Sequence, residues 1–194
     1  PKRDFAKRNA RAKGDGMYLL VPFLVGGLLL LGGVYAWWQF VEYRLTVIRP
    51  GEVYTSGAMP PRALRRMVKR LGLRTVFDLR GPDEGEEKIR AEAEVLEDLG
   101  VHHVNLRSPQ VPSDDIRDRY LDWIADPEHR PALMHCNHGE GRAVLYGALW
   151  RIEFEGMDPE KARKKCRMIA TRGSSFDPRK SKGAYLRAYP RSRT

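Results

Sequence analysis

Thiols are scarce. Cys136 and Cys166 are the only cysteines in 194 residues, which excludes by count a disulfide framework and a metal cluster built on cysteine. Internal repeats are missing. Aliphatics thin out after residue 170, where the chain turns basic and carries Gly, Ser and Pro. Residues 171–194 are therefore expected to be a basic C-terminal tail that lies on something and is not core. The basic residues gather at the two ends without interleaved aromatics or a binding module, which disfavours a nucleic-acid partner.

Charge is missing altogether between residues 16 and 41. The apolar stretch "MYLLVPFLVGGLLLLGGVYAWWQF" would be ~36 Å long as a helix, enough to cross a hydrocarbon core of ~30 Å. Tyr35, Trp37 and Trp38 stand at its end, where amphipathic rings prefer the membrane interface. The run is too long for a signal peptide, and no small-x-small site follows it. A retained transmembrane helix over 17–41 is expected, with a basic tail over 1–16 before it. Residues 1–16 hold six Lys/Arg against two Asp, whereas 41–56 hold only Arg44 and Arg49 among basic residues. The positive-inside tendency then puts the N-terminus in the cytoplasm of a cell membrane and the following domain outside it, in the periplasm of a Gram-negative cell. The bilayer becomes one partner, and basic ends favour anionic lipid or protein as a further one.

From residue 42 onward apolar strands alternate with amphipathic helices. Strands are expected at "LTVIRPG", "EVYTSG", "LRTVFDLRG", "VHHVNLR" and "RPALMHC". Helices are expected at "PPRALRRMVKRLG", "PDEGEEKIRAEAEVLEDLG", "PSDDIRDRYLDWIADP", "RAVLYGALWRIEFEG" and "DPEKARKKCRMIA". This order implies an α/β domain over 42–170 with a mostly parallel sheet. Ligands bind such sheets at the carboxyl ends of strands, and Cys136 closes the strand "RPALMHC".

The seven positions from Cys136 onward, "CNHGEGR", join that strand to an apolar helix. Backbone N–H groups of Asn137, His138, Gly139, Glu140 and Gly141 can point inward and hold a tetrahedral oxyanion. A helix beginning near Arg142 adds positive potential, and its guanidinium offers a two-pronged contact to phosphate oxygens. Gly139 and Gly141 let the backbone turn without a Cβ clash. The same field favours the Cys136 thiolate, a nucleophile for phosphoryl transfer. No metal and no cofactor is called for. Cys166 has no such setting and reads as structural.

"HCNHGEGR" resembles the signature loop of the cysteine-based protein tyrosine and dual-specificity phosphatases. The likeness runs on through "IRPGEVYTSGAMPPRALRRMVKRLGLRTVFDLRGPDE", "HHVNLRSPQVPS", "ADPEHRPALMHC" and "LYGALWRIEFEGMDPEKA", roughly residues 47–168, and is to the bacterial members. The resemblance implies the cysteine-phosphatase fold, a central mostly parallel sheet flanked by helices. It implies Cys136 as nucleophile, Arg142 and the 137–141 backbone as phosphate cradle, and His135 as support for the thiolate.

Three departures stand out. Relatives carry Ser or Thr after the arginine, where this chain has Ala143. The Gln that often follows the Ser-Gly pair is Ala58. Relatives with a clear general acid carry Asp near positions 108–110, where this chain has no carboxylate; Asp114 and Asp115 are nearest, and Asp115 stands as the candidate. Glu140 disfavours polyanionic substrates. Two readings follow: a membrane-anchored phosphatase working through a cysteinyl-phosphate, or a weakly active or inactive phosphatase-fold subunit of a membrane complex, held there by other membrane-protein subunits.

Overall fold

The computed structural model describes residues 2–166 and 174–190, with side chains from residue 21 onward. The chain divides into two compact units, residues 1–42 and 43–194. The first is a single helix, α1 (Lys2–Phe40). Its stretch Val21–Phe40 is long and apolar enough to cross a membrane, with a mean hydropathy of 1.7. Phe23, Leu28, Leu29, Leu30 and Leu31 are all exposed on it. Tyr35 and Trp38 lie 6.0 Å apart between ring centroids at its end.

In the second unit five strands form one sheet in the order β1-β2-β5-β3-β4. They are β1 (Thr46–Arg49), β2 (Val53–Gly57), β3 (Thr75–Asp78), β4 (His102–Asn105) and β5 (Ala132–Cys136). β1 runs antiparallel to β2, and the other pairs are parallel. Each expected strand is present. Side chains alternate across the sheet, as a period of two requires. Phe77 and Met134 enter one core with α4 (Asp114–Ala125) and α5 (Arg142–Phe154). Tyr54, Val76 and Leu133 enter the other with α2 (Pro61–Leu71) and α3 (Glu86–Asp98). This is the α/β architecture with a mostly parallel sheet expected from the alternating pattern.

Local chemistry sets the boundaries. Pro61 opens α2, where a missing N–H costs nothing, and Gly72 closes it in the left-handed region at φ 61°. The acidic segment expected as one helix from Pro82 is split at Gly85, whose φ of 110° separates a short 3-10 turn, Pro82–Glu84, from α3. α5 is buried on nearly every side, because it fills the space between the sheet and the remaining helices.

The segment after 170 requires a correction. The boundary expected at 170 lies among 167–173, outside the described residues, as do 191–194. Residues 174–190, however, are not a tail lying on the domain. After α6 (Pro159–Lys165), the chain forms a turn and then α7 (Ser181–Ala188). Phe176, Leu186 and Tyr189 belong to the main core, at 1, 0 and 6% exposure. Arg163 of α6 donates from Nη1 to the Phe176 carbonyl at 2.6 Å. Three well-placed apolar side chains suffice to bury a segment whose composition is basic.

Candidate active site

β5 is buried from end to end and delivers His135 and Cys136 to the carboxyl edge of the sheet. It is flanked there by Gly57 of β2, opposite Cys136, and Asp78 of β3, opposite His135. The loop then turns over Cys136, and the Gly139 N–H donates to the Cys136 sulfur at 3.3 Å. Gly139 has φ +73°, and a Cβ there would sit 2.5 Å from the Gly57 nitrogen and 2.7 Å from the Ser56 carbonyl carbon. Glycine is required at 139 by both conformation and space. Gly141 differs: its φ is −113°, and a Cβ there would approach Lys182 Cε to 3.3 Å. The expectation that Gly141 serves a turn is thus replaced by one of room for a neighbouring side chain.

Arg142 begins α5 at 6% exposure. Its Nη1 donates to the Leu79 carbonyl at 2.7 Å, to the Ser108 carbonyl at 3.1 Å and to Glu84 Oε2 at 2.6 Å, and its Nη2 donates to Glu84 Oε1. Glu84 is thereby a bidentate partner, and the guanidinium holds its carboxyl below the usual range. The Nε edge of Arg142 makes no hydrogen bond among the described residues. Asn137, His138 and Glu140 complete the loop. Arg44 donates to the His138 carbonyl at 2.6 Å and pairs with Glu140 at 3.1 Å, so the loop's own carboxylate is offset by a cation.

Behind the loop, His135 Nε2 meets Glu92 Oε1 at 2.6 Å. Glu92 and Asp78 both accept from Arg80, at 2.6 and 2.8 Å. Burial disfavours charge on His135, but Glu92 and Asp78 outweigh it and raise its pKa above 6.5. Burial would raise Asp78, yet the His103 imidazole 3.8 Å away and the hydrogen bonds from Arg80 hold its carboxyl far below the usual range. The ligand atoms of Asp78, Glu92 and His135 lie within 4.8 Å of one another, close enough to hold a metal. The guanidinium of Arg80 already bonds both carboxylates.

A cavity of about 230 Å³ opens over the loop, lined by Cys136, His138, Glu140, Gly141 and Arg142 together with Gln110 and Ser175. Asp115 is not among its lining residues. It lies exposed on the first turn of α4, and a hydrogen bond from Ser113 lowers its pKa, so it keeps its charge. Asp114 is paired with Arg117 at 2.5 Å. Neither lines this cavity. Ala143 is fully buried. A second cavity of about 370 Å³ touches the loop at Asn137 and is lined by Met59, Pro60, Leu64 and Lys88.

Residue patterns did not single out Glu84, Glu92, Arg80 or Lys182. For the first three a signal existed: charged residues immediately after, or one helix beyond, a strand that ends at the ligand edge. For Lys182 there was none, because its segment read as tail.

The family model described as "DSP-PTPase phosphatase fused to NAD+ kinase" matches residues 48–182, well over half of the chain. The chain belongs to this DSP-PTPase family. The match reaches into α7, in agreement with the packing of that helix. Among curated relatives of this DSP-PTPase chain, the dual specificity protein phosphatase TpbA of Pseudomonas aeruginosa is 26% identical over 154 residues, covering 74% of this chain and 68% of that protein. The crystal structure of P. aeruginosa TpbA superposes with a TM-score of 0.59 at 23% identity, covering 77% of this chain and 86% of that one. The core catalytic domain of the PP-IP phosphatase SIW14 from S. cerevisiae, in complex with citrate, gives 0.61 at 16% identity, covering 75% and 85%. These superpositions show that the DSP-PTPase chain has the cysteine-phosphatase fold.

Proposed function

We propose that the chain is a phosphatase that cleaves phosphoesters through a covalent cysteinyl-phosphate and is anchored to a membrane by α1. The observation that carries this reading is the placement of the Cys136 sulfur beneath an inward N–H of a turn that ends at Arg142. Two of the five N–H donors of an arginine, the Nε–H and the outer Nη2–H, are left as a two-pronged edge for phosphate oxygens once Glu84, Leu79 and Ser108 are satisfied. In this reading the Cys136 thiolate attacks phosphorus, the loop N–H groups and Arg142 hold the equatorial oxygens, and water then releases phosphate. The named activity of TpbA and the SIW14 description as a PP-IP phosphatase support phosphoester chemistry. A TpbA variant has also been solved with phosphotyrosine (pTyr), at 24% identity and a TM-score of 0.59. A protein phosphotyrosine or a small phosphoester is the substrate class this supports.

The exposed apolar face of Val21–Phe40 supports anchoring. The surplus of basic residues before the span supports an outside domain. The accessory-subunit reading loses one of its arguments, since residues 174–190 of the basic C-terminal segment are held by the domain's own core. The deciding test is acid quench of the full chain with 4-nitrophenyl phosphate. A phosphorylated Cys136 peptide, absent in Cys136→Ser, is expected. No phosphopeptide and no turnover on any ester would overturn the assignment.

A further inference from the structure

A cation that the loop does not supply lies against the wall of the site. Lys182, the second residue of α7, is only 7% exposed. Its Nζ donates to Gln110 Oε1 at 2.6 Å. A Cβ added at Gly141 would lie 3.3 Å from its Cε and 3.5 Å from its Nζ. Gln110 and Gly141 both line the cavity that contains Cys136, and Ser175, from the same C-terminal segment, lines it too. The ammonium therefore lies across the loop residue before Arg142, beside the place where a carboxylic acid is missing.

The placement is built in. Gly183 follows Lys182, and a Cβ there would fall 2.0 Å from the Asp177 carbonyl oxygen, so the helix start is pressed against the preceding turn. Lys180 donates its N–H to the Asp177 carbonyl at 2.9 Å. Leu186, one turn on, is fully buried in the core. The lysine is thus presented by a fixed helix end.

We propose that Lys182 is a catalytic residue: its ammonium protonates the leaving oxygen, and its amine then takes a proton from the water that breaks the cysteinyl-phosphate. This rests on the phosphatase reading. In the first step the Cys136 S–P bond forms as the P–O bond breaks, and the proton passes from Lys182 to the departing alkoxide. In the second, the O–P bond from water forms as S–P breaks. Lys182 recovers its proton, Cys136 leaves as thiolate and inorganic phosphate departs. The two steps need no oxidant and no further reactant.

The surroundings fit. Burial and the positive charge of Arg142 push the Lys182 ammonium below its ordinary pKa of 10.5, although Cys136 pulls the other way. A proton donor with a lowered pKa is better matched to catalysis near neutrality. Lys182 meets the cavity wall at Gln110 and Gly141, and the titratable groups that line the cavity are Cys136, His138, Glu140 and Arg142, with Glu140 tied to Arg44. On the lysine's own segment, Asp177 is taken by Arg179 at 3.0 Å.

The test compares leaving groups. Wild type, Lys182→Met, Lys182→Arg and His138→Asn are assayed as full chains on 4-nitrophenyl phosphate, phenyl phosphate and glycerol phosphate, with rates normalised to the burst amplitude so that only folded sites count. In kcat/KM, which reports the step that breaks the P–O bond, Lys182→Met is expected to lose roughly 10²–10⁴-fold on glycerol phosphate and far less on the nitrophenyl ester. The alkaline limb of its kcat/KM profile should vanish. Lys182→Arg, which keeps the charge but holds its proton too tightly, should not rescue. An equal loss of kcat/KM on all three esters, rescue by Arg, or a leaving-group-dependent loss in His138→Asn instead would overturn the role of Lys182 alone. A wild type that turns over none of the three and traps no cysteinyl-phosphate overturns both this role and the phosphatase reading.

Discussion

Glu84 turns Arg142 from a loose cation into a fixed fork. With Glu84 on one edge, and the Leu79 and Ser108 carbonyls fixing Nη1, the guanidinium cannot swing away from the loop. Calorimetry with vanadate should find no binding in Arg142→Ala, near-normal binding in Cys136→Ser, and binding weakened roughly tenfold in Glu84→Gln, about the 1.5 kcal/mol of one charge-assisted bond. Unchanged binding in Arg142→Ala would remove the anion site from this loop. His135 gives a pH prediction. Its folded pKa lies above the ordinary 6.5, so its contribution to stability is fully present below that value and is lost as pH rises through the folded one. In urea melts, the gap between wild type and His135→Asn should shrink on going from pH 6 toward higher pH, and Glu92→Gln should abolish that trend. Glu92→Gln also leaves Arg80 with one buried carboxylate in place of two, and a broken buried pair costs about 3–5 kcal/mol. The legible residues here are local: His135, Cys136 and Arg142 fall within eight positions. Glu84, Glu92 and Lys182 stand 58, 43 and 72 positions from Arg142, His135 and Gln110, the residues they serve, and only the sheet order brings them together.

At the level of elements, the strands and most helices were legible because each has an apolar face at its own period and a turn residue at its end. α7 was not. It buries Leu186, with Phe176 before it and Tyr189 after it, and counting aliphatics over a basic stretch misses a helix that needs so few. The energetic consequence reverses the expectation for a tail. Deleting 174–194 should destabilise the domain and not merely loosen an attachment, and Leu186→Ala alone should cost about 2–5 kcal/mol by urea denaturation. A truncated domain with an unchanged melting midpoint would return the segment to the status of a tail. Gly183→Ala separates packing from chemistry. The new methyl would meet the Asp177 carbonyl, whose backbone has nowhere to go cheaply, so α7 must shift. Binding of vanadate by the loop and Arg142 should survive that shift, while turnover of alkyl esters, which needs Lys182 at its present place, should fall. The loop itself has the opposite sensitivity. Gly139→Ala drives a methyl into the backbone of Ser56 and Gly57 and should abolish vanadate binding outright.

For the whole molecule, the proposed anchor makes a prediction about which side of a membrane the domain faces. Charge near the span is what orients a single helix; residues far along the chain count little once they fold with a translocated domain. The C-terminal basic residues now belong to that second class, because α7 is part of the domain. Near the span, six Lys/Arg before it then stand against Arg44 and Arg49 after it, which favours the proposed inside N-terminus. Native thiols permit a clean experiment. Burial pushes the Cys166 thiol up to about 12, so it stays unreactive, and Cys136 is 4% exposed. In a Cys136→Ser background, a single cysteine at Glu97→Cys, an exposed position of α3, should react with a membrane-impermeant maleimide in intact cells. A cysteine at Ala10→Cys should react only after the cells are opened. The reverse pattern would place the domain in the cytoplasm and the substrate among cytoplasmic phosphoesters. Labelling of both only after lysis, with all protein released by an alkaline wash, would mean that α1 does not span a membrane, and its exposed leucines would then have to be covered by another protein surface.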